Sequence, residues 1–343
     1  MPGPPEAGYG QIVIRFLARV LIVGLAGVAA AFGLYQVSVQ PGAALVHAVF
    51  QKNQQVHPPS GFTATEATVT ETRVPIQAPG APAAAIDVYR PRASATAPRP
   101  VILWVHGGGF LASNAAQFGD WGVLLAHQGY VVALLDYSLA PQTHYPAPVR
   151  QANAALAWLS QHARQFGGGP ARMAVGGDSA GAQIASQLAA VESNPQLAAA
   201  MRLTPGLPPA RLRAVVLYCG LYDMSTVGGT GFPALRTYLW AYTGTRNWLA
   251  YPQIGQLSTT RQATSAYPPT YLTVGDRDPF RTQAAELAGV LRARGVPVTT
   301  LFWHGQGLGH EYQFDFRYRQ AGTSFQQTLA FLDQRLRGTG ADG

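Results

Sequence analysis

An α/β architecture, a mostly parallel central sheet with helices on both faces, is predicted by three features of the sequence. Short apolar runs of strand length recur along the chain, patterns of helical period separate them, and most of the runs are apolar throughout instead of alternating. Strands covered on both faces read as continuous hydrophobic stretches, and their alternation with helices marks parallel crossovers. Composition agrees: with 48% hydrophobic and 12% charged residues over 343 positions, the chain is too apolar and too weakly charged to be disordered. The length allows about two domains of ~150 residues, or one large one.

Taken in order, the first element is an export or anchoring signal. Positions 20–39 hold no charged residue, and a helix of that length rises about 30 Å, the thickness of a bilayer core. Arg15 and Arg19 precede it and the next charge is Lys52, so the positive-inside tendency puts residues 1–19 in the cytoplasm and the remainder outside. A membrane anchor fits, and so does a signal cleaved near the small residues Ala29-Ala30-Ala31. A buried helix fits less well, because the stretch is apolar on every side and contains Gly24, Gly27 and Gly33.

Residues 41–61 combine a short helical pattern with Pro58-Pro59 and read as a lid or linker element. Residues 68–76 and 85–90 alternate in the strand period around a turn-rich 77–82 segment and predict a hairpin. Apolar strands follow at 101–105, 131–135, 173–175, 214–218, 270–274 and 298–302. Helical patterns lie between and after them at 122–128, 149–165, 180–191, 282–294 and 324–336. Residues 224–265, rich in Trp, Tyr, Gly and Pro, break the alternation and read as an insertion over the sheet.

The single cysteine, Cys219, excludes an internal disulfide framework and a cysteine-cluster metal site. A net charge of +8 comes from arginines spread singly or in pairs such as Arg211/Arg213 and Arg317/Arg319. With no basic run and no interleaved aromatics, this is a solvated basic surface and not a nucleic-acid site.

Four short segments carry chemistry. Gly177-Asp178-Ser179-Ala180-Gly181 follows a strand and opens a helical pattern, the context of a nucleophile elbow. A serine on so sharp a turn projects its Oγ above the sheet, and the flanking glycines remove side chains that would collide; the alternative is a glycine-rich turn with a capping serine. His106-Gly107-Gly108-Gly109-Phe110 also ends a strand. Amides of Gly107 and Gly108, with that of Ala180, are expected to cradle an oxyanion, with His106 fixing the loop. The competing phosphate loop lacks its G-K-[ST] or G-x-G-x-x-G.

A serine hydroxyl needs a base and the base an orienter, found downstream in the order acid, then histidine. Asp276-Arg277-Asp278-Pro279 lies just past an apolar strand. Asp278, which precedes the proline, is favoured as the acid over Asp276, which can also cap or pair with Arg277. After the final strand come His304 and then Gly307-Leu308-Gly309-His310. The glycines free the backbone for His310 to reach Ser179, while His304 is expected to hold the loop. His47, His57, His127, His144 and His162 lack an acidic partner or a suitable context.

The His106–Phe110 and Gly177–Gly181 motifs, with Asp136-Tyr137-Ser138-Leu139-Ala140-Pro141 and Tyr145-Pro146-Ala147 between them, resemble the bacterial hormone-sensitive-lipase-like branch of the α/β-hydrolases. The resemblance covers about 86–336 and implies an α/β-hydrolase fold with a helical and aromatic cap. It also implies a serine carboxylesterase with neither metal nor organic cofactor. The expected organisation is an anchor or signal at 1–40 and a catalytic domain at 41–343, capped by about 41–61 and 224–265. One departure stands out: where the family has Tyr-Arg-Leu-Ala-Pro-Glu, this chain has Ser138 and Gln142 and loses both charges, which puts the rigidity of that segment in question.

Low charge around the motifs argues for a neutral, apolar small-molecule ester, hydrolysed by Ser179, His310 and Asp278 through an acyl-enzyme. Tyr238, Trp240, Tyr242, Trp248 and Tyr251 are expected, as a group, to narrow the acyl pocket and favour short chains. The same triad serves amidases and peptidases. A non-catalytic binding protein on this fold would be expected to lose a triad member or an oxyanion glycine, and all are present.

Overall fold

The computed structural model of the chain describes residues 7–53, 56–208 and 210–337. Residues 1–6 of the expected 1–40 segment, 54 and 55 of the 41–61 element, and 338–343 of the 41–343 domain lie outside the described residues. Helices α1 (Ala7–Val37), α2 (Gln40–Asn53) and α3 (Phe62–Glu66) come first. The strands are β1 (Val69–Ile76), β2 (Ala84–Pro91), β3 (Arg99–Val105), β4 (Val131–Asp136), β5 (Gly168–Asp178), β6 (Leu212–Tyr218), β7 (Thr270–Val274) and β8 (Val298–Phe302). Between and after them run α4 (Gly119–His127), α5 (Ala147–His162), α6 (Ser179–Ser193), α7 (Pro195–Ala200), α8 (Leu235–Thr243), α9 (Ile254–Leu257), α10 (Thr259–Gln262), α11 (Arg281–Ala293) and α12 (Arg319–Leu336).

All eight strands join one sheet in the order β1-β2-β4-β3-β5-β6-β7-β8. The hairpin β1–β2 and the pair β2–β4 are antiparallel, and every other pair is parallel. Burial explains the pattern: β3, β4 and β7 are covered almost throughout, whereas the edge strands β1 and β8 are largely half-buried or exposed. Only β5 differs substantially from expectation, running 168–178 instead of 173–175. Half of its extra residues are glycines, which carry no hydrophobic signal but still complete the ladder. At Gly176 a Cβ would lie 2.5 Å from the Trp104 ring.

Helices α4 and α12 cover one face and α5, α6 and α11 the other. On the first face Trp121 of α4 meets Phe325 of α12 at 5.4 Å between ring centroids. Trp104 of β3 sits 5.2 Å from both Trp121 and Tyr218. Edge-on contacts of this kind add about 0.5–1.5 kcal/mol each beyond burial. They fix Trp104, whose Nε1–H donates to Asp178 at the end of β5 at 2.9 Å.

The 224–265 segment leaves the sheet between β6 and β7 and carries α8, α9 and α10. It meets α2, whose Ala43 and Val46 are buried and whose Phe50 stands edge-on to Tyr238 at 6.0 Å. Helix α2 also braces the loop after β3: His47 Nδ1 bonds the Leu111 carbonyl at 2.8 Å, and Gln51 Oε1 accepts the Ser113 N–H at 3.0 Å.

Helix α1 projects from this body. Within Val13–Val37 an 18-residue window has a mean hydropathy of 2.1 and is not buried, and 25 residues rise about 37 Å, enough to cross a bilayer. Arg15 and Arg19 lie within the helix, with apolar Val13 and Ile14 exposed on their amino side and Phe16 and Leu17 exposed between them. At its end Tyr35 Oη lies 3.3 Å from Thr237 Oγ1, and Arg246 donates to Gln36.

Because α1 touches the body at its end, a chain starting at residue 40 is expected to be more soluble and to keep much of the ester turnover that the sequence predicts. A chain starting at residue 62 also loses His47 and Gln51 from the loop after β3 and is expected to lose most of it. Comparing the two by sedimentation and ester turnover checks this; equal activity in both would contradict a bracing role for α2.

Candidate active site

Four chain segments converge at the carboxyl ends of β3, β5, β7 and β8. The turn from β5 into α6 holds Ser179 at φ 50°, a left-handed conformation unfavourable for a side-chain-bearing residue. Close packing imposes it. A Cβ at Gly181 would lie 2.0 Å from the Val105 carbonyl oxygen, and one at Gly177 would lie 2.6 Å from the Gly181 backbone. Such a residue costs on the order of 1–3 kcal/mol and persists only where its surroundings over-determine it.

The Ser179 hydroxyl lies 2.9 Å from His310 Nε2, and the His310 Nδ1–H donates to Asp278 Oδ2 at 2.9 Å. The other Asp278 oxygen accepts the Phe280 N–H at 2.8 Å, which fixes the carboxylate at the start of α11. Burial by itself would push the His310 ring below its ordinary value, but the Asp278 carboxylate at Nδ1, together with the neighbouring Cys219 sulfur, outweighs it and holds the ring well above 6.5. Phe232 and Phe280, stacked on each other at 4.4 Å, stand edge-on to the imidazole at 5.0 and 5.5 Å.

Asp276 does different work. Its carboxylate accepts the N–H groups of Gln306, Gly307 and Leu308 at 2.8–2.9 Å and so ties the strand-7 loop to the loop that carries His310. The bond from Gly307, with those from its neighbours, brings the carboxyl down to about 2. The loops touch closely, since a Cβ at Gly275 would lie 2.3 Å from the Leu308 carbonyl oxygen. His304, expected to hold this loop, instead pairs its Nδ1 with Arg281 at 3.1 Å.

The glycine loop after β3 corrects one expectation. The Gly107 N–H does not face a ligand; it donates to Asp178 Oδ2 at 2.7 Å. Asp178 is fully buried, and burial, then the neighbouring Glu311 carboxylate, raise its pKa well above the usual range. A carboxyl so placed requires N–H donors, and Gly107 and Trp104 supply them. The two following glycines are left with φ of 103° and 61°, and a Cβ at Gly109 would lie 2.3 Å from the Tyr238 ring. Ala180, second residue of α6, has no intrahelical acceptor for its N–H.

His106 is a scaffold, as expected. Its Nδ1–H bonds the Gly107 carbonyl at 2.8 Å, its ring stacks on Tyr137 at 4.4 Å, and burial lowers its pKa to about 4, so it stays neutral. The Tyr137 hydroxyl reaches the His106 and Gly107 carbonyls at 3.1 and 3.2 Å. The charge-depleted segment after Tyr137 keeps its anchorage by other means. Gln151 accepts the Ser138 N–H at 2.9 Å and donates to the Ser138 hydroxyl at 2.7 Å.

Of the five aromatics singled out in the sequence, Tyr238 lies against Gly109 and Tyr242 against Phe110 at the end of the glycine loop. Tyr242 stacks on Phe110 at 3.7 Å, Tyr251 meets Tyr145 at 6.1 Å, Trp248 donates to the Met224 carbonyl at 3.3 Å, and Trp240 lies under Arg246 at 5.9 Å. These four contacts pack the 224–265 segment on itself and against Phe110 and Tyr145. Phe232 and Phe280, which do adjoin His310, went unremarked in the sequence. Cys219, noted in the sequence only for the disulfide and cysteine cluster it excludes, follows β6 directly, and burial pushes its thiol up to about 12.

The sequence pattern of the α/β-hydrolase fold matches residues 102–313. Esterase LipI of Mycobacterium tuberculosis is 30% identical over 251 residues, covering 69% of this chain and 73% of that protein. Carboxylesterase NlhH of the same organism is 31% identical over 216 residues, 58% of this chain and 62% of that protein. Among solved structures, a bacterial heroin esterase superposes with a TM-score of 0.66 at 26% identity, over 80% of this chain and 86% of the other.

A histidine that acts as a base works only when neutral, so activity is present above its folded-state pKa and is lost as pH falls through it. The acid limb of kcat/KM is therefore expected above pH 6.5. Asp278→Asn should lower the rate by about 10⁴-fold and shift the limb to lower pH, because the charge that raises the ring is gone. Asp276→Asn should be milder and leave the limb in place. A limb below 6.5 in the wild type, or equal damage from both variants, would contradict this assignment.

Proposed function

Because this chain belongs to the α/β-hydrolase family, in its hormone-sensitive-lipase-like carboxylesterase branch, and is a carboxylic ester hydrolase, we propose that it cleaves neutral short- to medium-chain acyl esters through Ser179, His310 and Asp278. The observation that carries this reading is the unbroken relay of 2.9 Å hydrogen bonds from Ser179 through His310 to Asp278. In the first half-reaction His310 Nε2 takes the hydroxyl proton as Ser179 Oγ attacks the ester carbonyl. The same nitrogen then returns the proton to the departing alcohol. Asp278 keeps Nδ1 protonated and stabilises the imidazolium. Water, deprotonated by His310 in its turn, resolves the acyl-enzyme.

The developing oxyanion is received by the amides of Gly108 and Ala180, with Gly109 taking the part first expected of Gly107. Removing a donor of this kind typically costs about 3 kcal/mol of transition-state stabilisation. An apolar substrate is supported by the rings of Phe232, Phe280 and Tyr238 around His310 and the glycine loop. Helix α1 serves as a membrane anchor with the catalytic domain on the extracytoplasmic side, a reading supported by its exposed apolar surface and by Arg15 and Arg19 near its amino end.

Turnover of a p-nitrophenyl acyl series tests the proposal. Each buried methylene contributes about 0.8 kcal/mol, so kcat/KM is expected to rise over the first few carbons and fall once the chain meets Tyr238 and Phe232. Tyr238→Ala should move the optimum to longer acyl groups. Ser179→Ala and His310→Ala should each reduce kcat by about 10⁴-fold or more with little change in thermal stability. Retained turnover in either, or an optimum at about twelve carbons or beyond, would overturn the respective part of the proposal.

A further inference from the structure

The relay leaves one group at its edge without a task. Cys219 directly follows β6, next to β7 and its Asp278 loop, and is 1% exposed. Its backbone is held at φ 41° and its N–H donates to the Thr273 carbonyl at 3.0 Å. Its thiol donates to the Gln313 side-chain oxygen at 3.9 Å, a weak contact, and the sulfur also faces the His310 ring. On its other side the ligand atoms of Cys219, Asp278 and His310 all lie within 4.8 Å of one another. Sulfur, carboxylate oxygen and imidazole nitrogen are the donor types that zinc selects, and three protein donors with an open fourth position is a common zinc arrangement.

We propose that Cys219, Asp278 and His310 form an inhibitory site for a borderline or soft divalent cation, with zinc as its type ion, that silences the esterase by taking His310 out of the relay. This rests on the reading of Ser179 and His310 given above. A tetrahedral ion with bonds of about 2.0–2.3 Å holds its donors about 3.5 Å apart; the Asp278 and His310 atoms already lie 2.9 Å from each other, so the approach needed is that of the Cys219 sulfur, by roughly 1 Å at most. The His310 side chain is 19% exposed and gives the ion its entrance, with water at the fourth position. Binding forms a metal–sulfur bond and releases the thiol proton to solvent; no electron is transferred. To coordinate, the imidazole gives up its bond to Ser179 or its bond to Asp278, and either loss stops proton transfer. Neither carboxylate relay nor serine attack calls for a thiol at position 219, so removing it separates inhibition from turnover.

The test uses the full chain in metal-free buffer. Zinc chloride is expected to inhibit p-nitrophenyl acetate hydrolysis, with full recovery on adding EDTA. Cys219→Ala, and Cys219→Ser as the smaller change, should keep basal turnover and require more than about 10-fold more zinc, since even residues that only support a metal ligand count on that scale. Binding is read separately, without turnover, by the thiolate-to-cobalt absorption band in Ser179→Ala titrated with cobalt(II). The band should appear there and vanish in the Ser179→Ala, Cys219→Ala double variant. Absence of the band, or an unchanged zinc curve in both Cys219 variants, overturns the proposal while leaving the esterase reading intact. A band with no inhibition of the wild type overturns the inhibitory role and the His310 assignment together.

Discussion

The reversal of the chain from β5 into α6 is pressed so closely against the end of β3 that no side chain fits at its flanks. The Val105 carbonyl oxygen lies where a Gly181 Cβ would have to go, and Ser179 turns left-handed to complete the bend. Much else in the site follows from this contact. It lifts Ser179 Oγ and the Ala180 amide together at the amino end of α6. It also sets the glycine loop after β3 beside the serine. Asp178 locks the two, accepting Trp104 from the core and Gly107 from the loop. The strain at Ser179 is small beside the ladder that holds β5 between β3 and β6.

Two aspartates two positions apart then divide the remaining work by environment alone. Asp276 is surrounded by backbone N–H groups of the His310 loop and is held strongly acidic, so it acts as a fixed anion that sets loop geometry. Asp278 is buried beneath the imidazole and supplies the charge that decides the tautomer of His310. Neither can replace the other, because one needs amides and the other needs a ring. The cap joins this scaffold from two parts of the chain, α2 by hydrogen bonds to the loop after β3 and α8 by Tyr238 against Gly109.

Most of this was legible in the sequence because each signal is local. Continuous apolar runs placed five strands closely, alternation placed the two of the hairpin, and the elbow glycines announced the turn; Asp278 and His310 lie past strand ends in the order read there. What escaped depends on contacts between distant segments. Gly107 carries the same signal as Gly108, and only the buried Asp178 carboxylate distinguishes a committed amide from an available one. The length of β5 was hidden by glycines that pair without side chains. Aromatic residues look alike in a sequence, and the five noted there pack the 224–265 segment on itself and against Gly109, Phe110 and Tyr145, while Phe232 and Phe280 reach the histidine. Cys219, read only as the absence of a disulfide, acquires meaning from β6 lying beside β7.

The central claim is that the elbow serine is the activated nucleophile. Labelling the full chain with a fluorophosphonate and mapping the adduct by peptide mass spectrometry tests it most directly, since the reagent reacts with a serine whose proton a neighbouring base removes. The account predicts a single adduct on Ser179, formed in step with loss of esterase activity. An adduct on another residue, or full activity loss with Ser179 unlabelled, would contradict it.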